Sequence, residues 1–173
     1  ESPSDNDADG IADSATSHSH SPEGLLLEST RDDDVDGTVD WRTTYEYTDF
    51  GELSVQLYDT DGDGVFDNQN RYVYNAQQLL AMKTWDSDMD GQSNRTWEYS
   101  YDTQGRLLEM KYDGDGDGAW NSMTWYTPED GTDCIDNERD SNGDGAVDHI
   151  TDQTCDAARF LVLDEYDTDA DFV

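Results

Sequence analysis

The sequence predicts an all-β protein made of tandem 27-residue β-hairpins that are joined by acidic loops. Three observations lead to this class. One motif returns at a fixed 27-residue interval, which is the signature of a repeat architecture. The segments between the motifs alternate aromatic and polar residues with the period of a β-strand. Gly and Asp cluster between those segments, as they do in turns. An extended antiparallel strip, a β-solenoid and a closed ring all remain compatible with this pattern.

The motif is Asp-x-Asp-x-Asp-Gly, and the interval between its copies never varies. Counting each repeat from its first Asp as position 1 divides one array, residues 1–173, into copies at 5–31, 32–58, 59–85, 86–112, 113–139 and 140–166, with a partial seventh at 167–173. All 10 tyrosines fall on positions 14, 16 and 27. We number the acidic loops 1 to 7 in the same order.

Acid dominates the composition, with 43 Asp and Glu against 9 Lys and Arg and a net charge of −34. A chain so charged and so poor in large aliphatic residues is expected to be disordered unless something neutralises the acid. Tyrosines held in register argue against a solvating tail. The charge excludes a nucleic-acid partner, because phosphates would be repelled. No apolar run reaches the length needed for membrane insertion.

The loops have the spacing of a site for one hard cation. Carboxylates at positions 1, 3, 5 and 9 surround a Gly at position 6 that permits a sharp turn, and position 7 adds its main-chain carbonyl. Oxygen ligands alone favour calcium over zinc or copper. The predicted ligands are Asp5, Asp7, Asp9, Ile11 and Asp13; Asp32, Asp34, Asp36, Thr38 and Asp40; Asp59, Asp61, Asp63, Val65 and Asp67; Asp86, Asp88, Asp90, Gln92 and Asn94; Asp113, Asp115, Asp117, Ala119 and Asn121; Asp140, Asn142, Asp144, Ala146 and Asp148; and Asp167, Asp169 and Asp171.

This loop resembles the calcium loops of EF-hands, dockerins, thrombospondin type 3 repeats and integrin-type propellers. The resemblance implies calcium as cofactor, about one ion per complete loop and six or seven in all. The bidentate Glu of an EF-hand is absent from position 12, where Thr16, Thr43, Asn70, Trp97, Thr124 and Thr151 stand. We therefore expect position 9 to close each site, and we expect no EF-hand helices.

The segments between loops read as hairpins. Residues 95–101 alternate aromatic and polar residues, and 102–105 form a turn with Gly105 in the left-handed position. This geometry sets Tyr101 opposite Leu107 and Tyr99 opposite or near Glu109. The run from Tyr101 to Leu107, Tyr-Asp-x-x-Gly-Arg-Leu, resembles the YD repeat of RHS-type bacterial shell proteins. Only the fourth repeat carries this run whole; the third has Gln78 in place of the Gly.

Calcium is expected to govern folding. One hairpin alone is marginal in water, so stacked copies must supply the stability. Six divalent ions would change the net charge from −34 to −22. We expect a largely unfolded ion-free form and a rigid calcium form.

Cys134 and Cys155 replace the usual Leu and Tyr at inward positions of strands on either side of loop 6. Antiparallel pairing of those strands would bring them within disulfide distance, and two buried free thiols are the alternative. A bridge, together with calcium loops and strong acidity, favours an extracellular or cell-surface location.

The first hairpin and the last loop depart from the pattern. His18 and His20 occupy tyrosine positions, which fits either a worn capping hairpin or, less simply, a transition-metal pair. Loop 7 places Phe172 where Gly belongs. We expect either further repeats of the same protein or identical subunits that join head to tail and complete the seventh site.

A non-enzymatic structural role is the function the sequence favours: a calcium-stiffened stalk, spacer or filament subunit. An adhesin that binds protein or glycan is the alternative, with Trp41, Trp120 and Trp125 as candidate contacts. Carboxylate pairs abound, but the loops account for nearly all of them, and no nucleophile–His–acid set is legible. High acidity would also suit a salt-loving organism.

Overall fold

The computed structural model describes residues 2–4, 12–128, 135–155 and 161–167. Every regular element in this part of the chain is a β-strand, as predicted. The strands are β1 (Ser2–Ser4), β2 (Ser14–His20), β3 (Leu26–Asp32), β4 (Trp41–Tyr47), β5 (Leu53–Asp59), β6 (Asn68–Tyr74), β7 (Leu80–Asp86), β8 (Arg95–Tyr101), β9 (Leu107–Asp113), β10 (Ser122–Pro128), β11 (Ile135–Asp140), β12 (His149–Cys155) and β13 (Leu161–Asp167).

The strands follow one another in chain order, and neighbouring strands pair antiparallel as consecutive hairpins do, which is the topology of a hairpin strip. The chain divides into two compact units, Glu1–Tyr72 with Trp85–Gln92, and Val73–Thr84 with Ser93–Val173. Strands β1 to β5 pair in sequence with β2 to β6 around the first unit. Strands β8 to β12 pair in the same way with β9 to β13 in the second.

Four of the described hairpins share one register: β2 with β3, β4 with β5, β8 with β9 and β12 with β13. In β10 with β11, Pro128 pairs with Ile135 and the described pairs contain no bulge. Position 16 pairs with position 22, as predicted, in Tyr47 with Leu53 and in Tyr101 with Leu107. A bulge precedes this pair, between Glu46 and Tyr47 and between Ser100 and Tyr101. Because the bulge inserts one residue, Tyr99 pairs with Met110 and Glu109 pairs with Ser100. Tyr99 thus lies next to Glu109 and not opposite it.

The bulge keeps the tyrosines on one face. Thr43, Tyr45 and Tyr47 are spaced two residues apart on β4 and therefore lie on one face. Tyr58 is the cross-strand partner of Thr43 and lies on the same face. Tyr58 lies 5.9 Å from Trp85, centroid to centroid. Trp97 and Tyr112, which are cross-strand partners within one hairpin, lie 5.1 Å apart, centroid to centroid. Aromatic pairs of this kind add to the area they bury, so each unit gains its cohesion from one aromatic face.

A tyrosine hydroxyl links consecutive hairpins within each unit. Tyr47 Oη donates to the main-chain carbonyl of Leu26 at 2.8 Å, and Tyr101 Oη donates to that of Leu80 at 2.8 Å. Both bonds run from position 16 to position 22 of the preceding repeat. Burial raises the pKa of Tyr101, so its hydroxyl stays protonated and remains a donor.

Main-chain hydrogen bonds within each described hairpin turn close the turn. In residues 48–52, Thr48 N–H donates to Glu52 O at 2.8 Å, and Gly51 N–H donates to Thr48 O at 3.0 Å. Residues 21–25, 75–79 and 102–106 repeat both bonds. Gly105 has φ +83°, the left-handed conformation predicted for it, and Gln78 adopts φ +62° at the same position. The turn geometry therefore persists where the glycine is absent.

Candidate metal centre

The loops lie where the second strand of one hairpin passes to the first strand of the next. A main-chain bond closes loops 2, 3, 5 and 6, from the position-9 N–H to the carbonyl just before position 1. Asp40 donates in this way to Arg31 at 2.9 Å, and Asp67 to Tyr58 at 2.7 Å. Asn121 with Tyr112 and Asp148 with Arg139 repeat it at 2.8 Å. Pairing of the strands therefore sets the width of the loop mouth.

Two left-handed residues bend each loop inward. Position 6 has φ between +87° and +90° in Gly37, Gly64, Gly91, Gly118 and Gly145. Only Gly adopts this conformation without strain, as the sequence predicted for this position. Position 4 is also left-handed, in Gly62, Gly116 and Gly143 and in Val35 and Met89. This second bend was not predicted.

Carboxylates accept main-chain N–H groups inside the loop. In loop 3, Asp59 Oδ2 accepts from Gly64 at 3.1 Å, and Asp63 Oδ1 accepts from Val65 at 2.7 Å. Asp61 Oδ1 accepts from Asp63 at 3.2 Å. Loops 2, 4, 5 and 6 repeat the bond from position 6 to position 1 at 2.8–3.1 Å. These bonds turn the side chains toward the inside of the loop.

Position 9 is fastened by the residue at position 2. Asp67 Oδ2 accepts from the N–H of Thr60 at 2.6 Å and from its hydroxyl at 2.5 Å. Asp148 accepts from Ser141 in the same way, and Asn121 Oδ1 accepts from the N–H of Gly114. In Asp67 and Asp148 one carboxylate oxygen is therefore engaged and the other is left for a ligand, whereas in Asn121 the single amide oxygen is the engaged atom.

Four loops bring three carboxylate oxygens within 4.8 Å of one another. The groups are Asp32, Asp34 and Asp36; Asp59, Asp61 and Asp67; Asp86, Asp88 and Asp90; and Asp113, Asp115 and Asp117. Loop 6 has the same hydrogen-bonded frame, with Asn142 accepting from Asp144 N–H at 2.9 Å. Repeated groups able to hold a metal ion are therefore present, as the sequence indicated. The geometry does not specify the ion.

Several predicted ligands lie outside the described residues. They are Asp5, Asp7, Asp9 and Ile11 of loop 1, and Asp169, Asp171 and the side chain of Asp167 in loop 7. The predicted disulfide also lies outside them, through Cys134 and the side chain of Cys155.

The position-1 aspartates of loops 3 to 6 are buried, although ionised carboxylates are strongly hydrated in water. Their exposed fraction is 2% for Asp59, 4% for Asp86, 5% for Asp113 and 0% for Asp140. In loops 2 and 3, Asp32 Oδ1 and Asp59 Oδ1 are buried without a hydrogen-bond partner. A buried carboxylate oxygen without a partner is costly. A divalent cation inside the loop would satisfy it.

Hydrogen bonds lower the pKa of three loop carboxylates, Asp67, Asp86 and Asp148. The hydroxyl and N–H of Thr60 lower the pKa of Asp67, and Ser141 lowers that of Asp148 in the same way. Burial pushes the pKa of Asp86 upward, but bonds from Gln69 and from loop N–H groups outweigh it and leave a net lowering. These three carboxylates thus present charged oxygens at neutral pH, which is the form that binds a hard cation.

The donor set fits calcium. Asp and Asn oxygens with a main-chain carbonyl suit a hard cation that takes six to eight oxygen ligands. The residues that would hold the ion are those at positions 1, 3, 5 and 9, with the carbonyl of position 7. The position-7 peptide is fixed nearby, because its N–H donates to the position-5 carboxylate in loops 2 to 6 at 2.7–2.8 Å.

Neighbouring loops touch within each unit. A Cβ built on Gly62 would lie 2.1 Å from the carbonyl oxygen of Val39 in loop 2. A Cβ on Gly116 would lie 2.5 Å from Ser93 O, and a Cβ on Gly143 would lie 1.9 Å from Trp120 O. Position 4 of one loop therefore packs against position 8 of the loop before it. The signal for this contact was in the sequence, as a second Gly at position 4 in three repeats.

Position 11 supplies side chains that reach the next loop, and sequence reasoning missed them. Gln69 Nε2 donates to Asp86 Oδ2 at 3.0 Å. Arg42 Nη2 lies 3.4 Å from Asp59 Oδ2 and 3.2 Å from Gly64 O. The register sets Arg42 directly opposite Asp59, so a hairpin alignment could have found this pair.

The candidate recognition tryptophans are half-buried. Trp125 Nε1 donates to Glu109 at 3.0 Å, and Lys111 Nζ lies 5.9 Å from the centre of the Trp120 ring. Trp41 lines a cleft of about 270 Å³ with Arg31, Asp33, Asp40 and Thr60. Among the described residues, no helix is long and apolar enough to cross a membrane.

Comparison with known proteins identifies no family for the chain. No family model matches it, and no curated protein matches it. One similar solved structure is described as the Photorhabdus luminescens Tc holotoxin pore with the mutation TccC3-D651A. The alignment has a TM-score of 0.40 and 15% sequence identity, and it covers 90% of this chain and 9% of that one. The present chain thus spans about a tenth of the length of the chain it matches.

Proposed function

We propose that this chain is a non-enzymatic calcium-binding structural repeat protein of the extracellular space or cell surface, a stalk, spacer or filament subunit that calcium makes rigid. The observation that carries the proposal is the buried, unpartnered oxygen of Asp59 inside a ring of carboxylates, with the same arrangement at Asp32. A folded protein tolerates such an oxygen when a cation completes it.

The contact between neighbouring loops supports a mechanical role. Calcium would fix the shape of each loop, and the position-4 backbone of one loop rests on the position-8 carbonyl of the previous one. Angles between consecutive hairpins would then depend on calcium. Tyr47 and Tyr101 link the hairpins at the far side of the sheet from the loops. An array held at both sides transmits force better than one held at a single side.

The experiment is a titration from EDTA into millimolar calcium, followed by circular dichroism and thermal melting, with magnesium as the control. We expect strand content and Tm to rise steeply with calcium and little with magnesium, because magnesium demands an octahedral site and dehydrates reluctantly. An equally folded chain in EDTA would contradict the proposal. Electron microscopy of the calcium form then separates single rods from head-to-tail polymers.

A second candidate function is recognition of a glycan or protein. The observation that favours it is the open cleft beside loop 2, in which Trp41 lies among Arg31, Asp33 and Thr60. An aromatic ring beside polar groups is the usual make-up of a binding subsite. A glycan array probed with the native chain and with Trp41→Ala tests it. Calcium-dependent binding that the substitution abolishes would favour recognition over a spacer role.

A further inference from the structure

The positively charged side chain of Arg42 reaches loop 3 from strand β4. The Arg42 guanidinium reaches Asp59 Oδ2 at 3.4 Å and Gly64 O at 3.2 Å, and it lies 4.8 Å from the centre of the Phe66 ring. Its three contacts are all residues of loop 3. The Arg42 side chain is 29% exposed and that of Asp59 is 3% exposed. The pair therefore lies largely out of water, where charges act more strongly on one another than at the surface.

Keeping an arginine in this place has a cost. Arg42 Nε is buried without a hydrogen-bond partner, and the 3.4 Å approach to Asp59 is longer than a strong charged hydrogen bond. The positive charge of Arg42 is what distinguishes it from the alternatives at this position.

Loop 4 supplies the matched comparison. Gln69 occupies position 11 of the next repeat and donates to Asp86 Oδ2 at 3.0 Å, the atom equivalent to the one that Arg42 contacts. The position-11 residues elsewhere are Ala15, Thr96, Met123 and Ile150, so loop 3 alone has a cation there. Both Arg42 and Gln69 can hold the carboxylate, but only Arg42 adds charge to the site.

We propose that Arg42 sets the calcium affinity of loop 3, holding Asp59 in place when the loop is empty and weakening the binding of calcium there by charge repulsion. The inference rests on the proposed function, since it names calcium as the ion. Arg42 is a positioning residue and not a ligand. Asp59 Oδ1, the oxygen without a partner, stays available to the ion while Oδ2 faces the arginine.

Removing the charge of Arg42 should raise the calcium affinity of loop 3. Replacing Arg42 by Gln keeps a donor for Asp59 and removes one positive charge close to a divalent ion. Calcium should then bind loop 3 roughly three- to tenfold more tightly, given partial screening by solvent and salt. The reverse change, Gln69→Arg, should weaken calcium binding at loop 4 by a similar factor.

The test is a calcium titration of the full chain followed by NMR. The amide signals of Gly64 and Gly91 report loops 3 and 4 separately, because each N–H donates to the position-1 aspartate of its own loop. Variants are Arg42→Gln, Gln69→Arg and Arg42→Lys; the last keeps the charge, so its calcium affinity should stay closer to the native value than that of Arg42→Gln. Raising the salt concentration should shrink the effect of Arg42→Gln.

The outcomes separate this inference from the proposed function. If calcium binds but Arg42→Gln leaves loop 3 unchanged or weakens it, Arg42 does not repel the ion and the inference is overturned while the proposed function stands. An effect that does not change with salt also overturns it, because a purely geometric role would be insensitive to screening. If no loop binds calcium, the proposed function itself fails, and the inference fails with it.

Discussion

The loop and turn ends of each hairpin both pair their main-chain N–H groups with side-chain oxygens, but in different ways. At the turn, Asp102 Oδ1 accepts from the N–H groups of Gln104 and Arg106 at 2.8 and 2.9 Å. Ser21, Thr48 and Asn75 perform the same task in the other turns. At the loop, carboxylates also accept N–H groups, but Asp59 still has a buried oxygen with no partner. The turn is complete without a ligand, and the loop is not.

This contrast explains why the turn tolerates varied residues while the loop repeats aspartate. A hydroxyl, an amide or a carboxylate can each accept two N–H groups, so four residue types serve at the turn. The loop needs several negative oxygens close together, which only a cation makes favourable. Substitutions matched between the two ends should therefore have unequal effects.

The largest expected difference comes from changing one carboxylate to an amide at each end. Asp59→Asn removes a buried negative oxygen from loop 3, and we expect its calcium affinity to fall at least about tenfold, with a lower Tm at limiting calcium. Asp102→Asn gives this turn the residue type that Asn75 supplies in another turn. Tm should therefore hardly change, although the contact with Arg106 is lost. Calorimetry at several calcium concentrations measures both. Equal effects of the two substitutions would remove the distinction between loop and turn.

Much of this contrast could be predicted from the sequence. The 27-residue period located every described loop, and the Tyr-Asp-x-x-Gly pattern placed Tyr101 opposite Leu107. Tyr99 was predicted to lie opposite or near Glu109, and it lies near it. The sequence did not decide between the two, because the bulge at Ser100 and Tyr101 depends on how the strand meets the turn and not on local composition. Arg42 and Gln69 were missed for a similar reason. Their role appears only when cross-strand pairs are known, and a motif read along the chain does not contain them.

A smaller effect is expected from filling the space between loops. Gly62 and Gly64 both have positive φ, at +71° and +90°, so alanine costs about 1–2 kcal/mol at either position through backbone strain. A Cβ on Gly64 meets open space, but one on Gly62 meets Val39 O at 2.1 Å and Asp40 Cα at 2.9 Å. Gly62→Ala should therefore cost about 1–3 kcal/mol more, as overpacking does elsewhere.

Urea unfolding in saturating calcium measures the two costs. Gly64→Ala is the control for strain, because it lacks the contact with loop 2. Val35 and Met89 show that position 4 accepts a side chain in other loops, at φ +57° and +58°. If Gly62→Ala costs no more than Gly64→Ala, loop 3 moves away from loop 2 without loss, and the contact between loops does not contribute to rigidity.

The smallest effect lies at the turn and should be independent of calcium. Gln78 holds φ +62° where Gly24, Gly51 and Gly105 stand in the other turns. A side chain in the left-handed region is strained, and glycine relieves that strain but adds freedom to the unfolded chain, so Gln78→Gly should stabilise by at most about 1 kcal/mol. In a chain of 173 residues this corresponds to a rise in Tm of about 2–4 °C. The same rise should appear at low and at saturating calcium, because the bonds of residues 75–79 involve no loop residue. A rise in Tm that grew with calcium concentration would mean that the turn and the loop are coupled through the hairpin. The two ends of the hairpin would then not be independent.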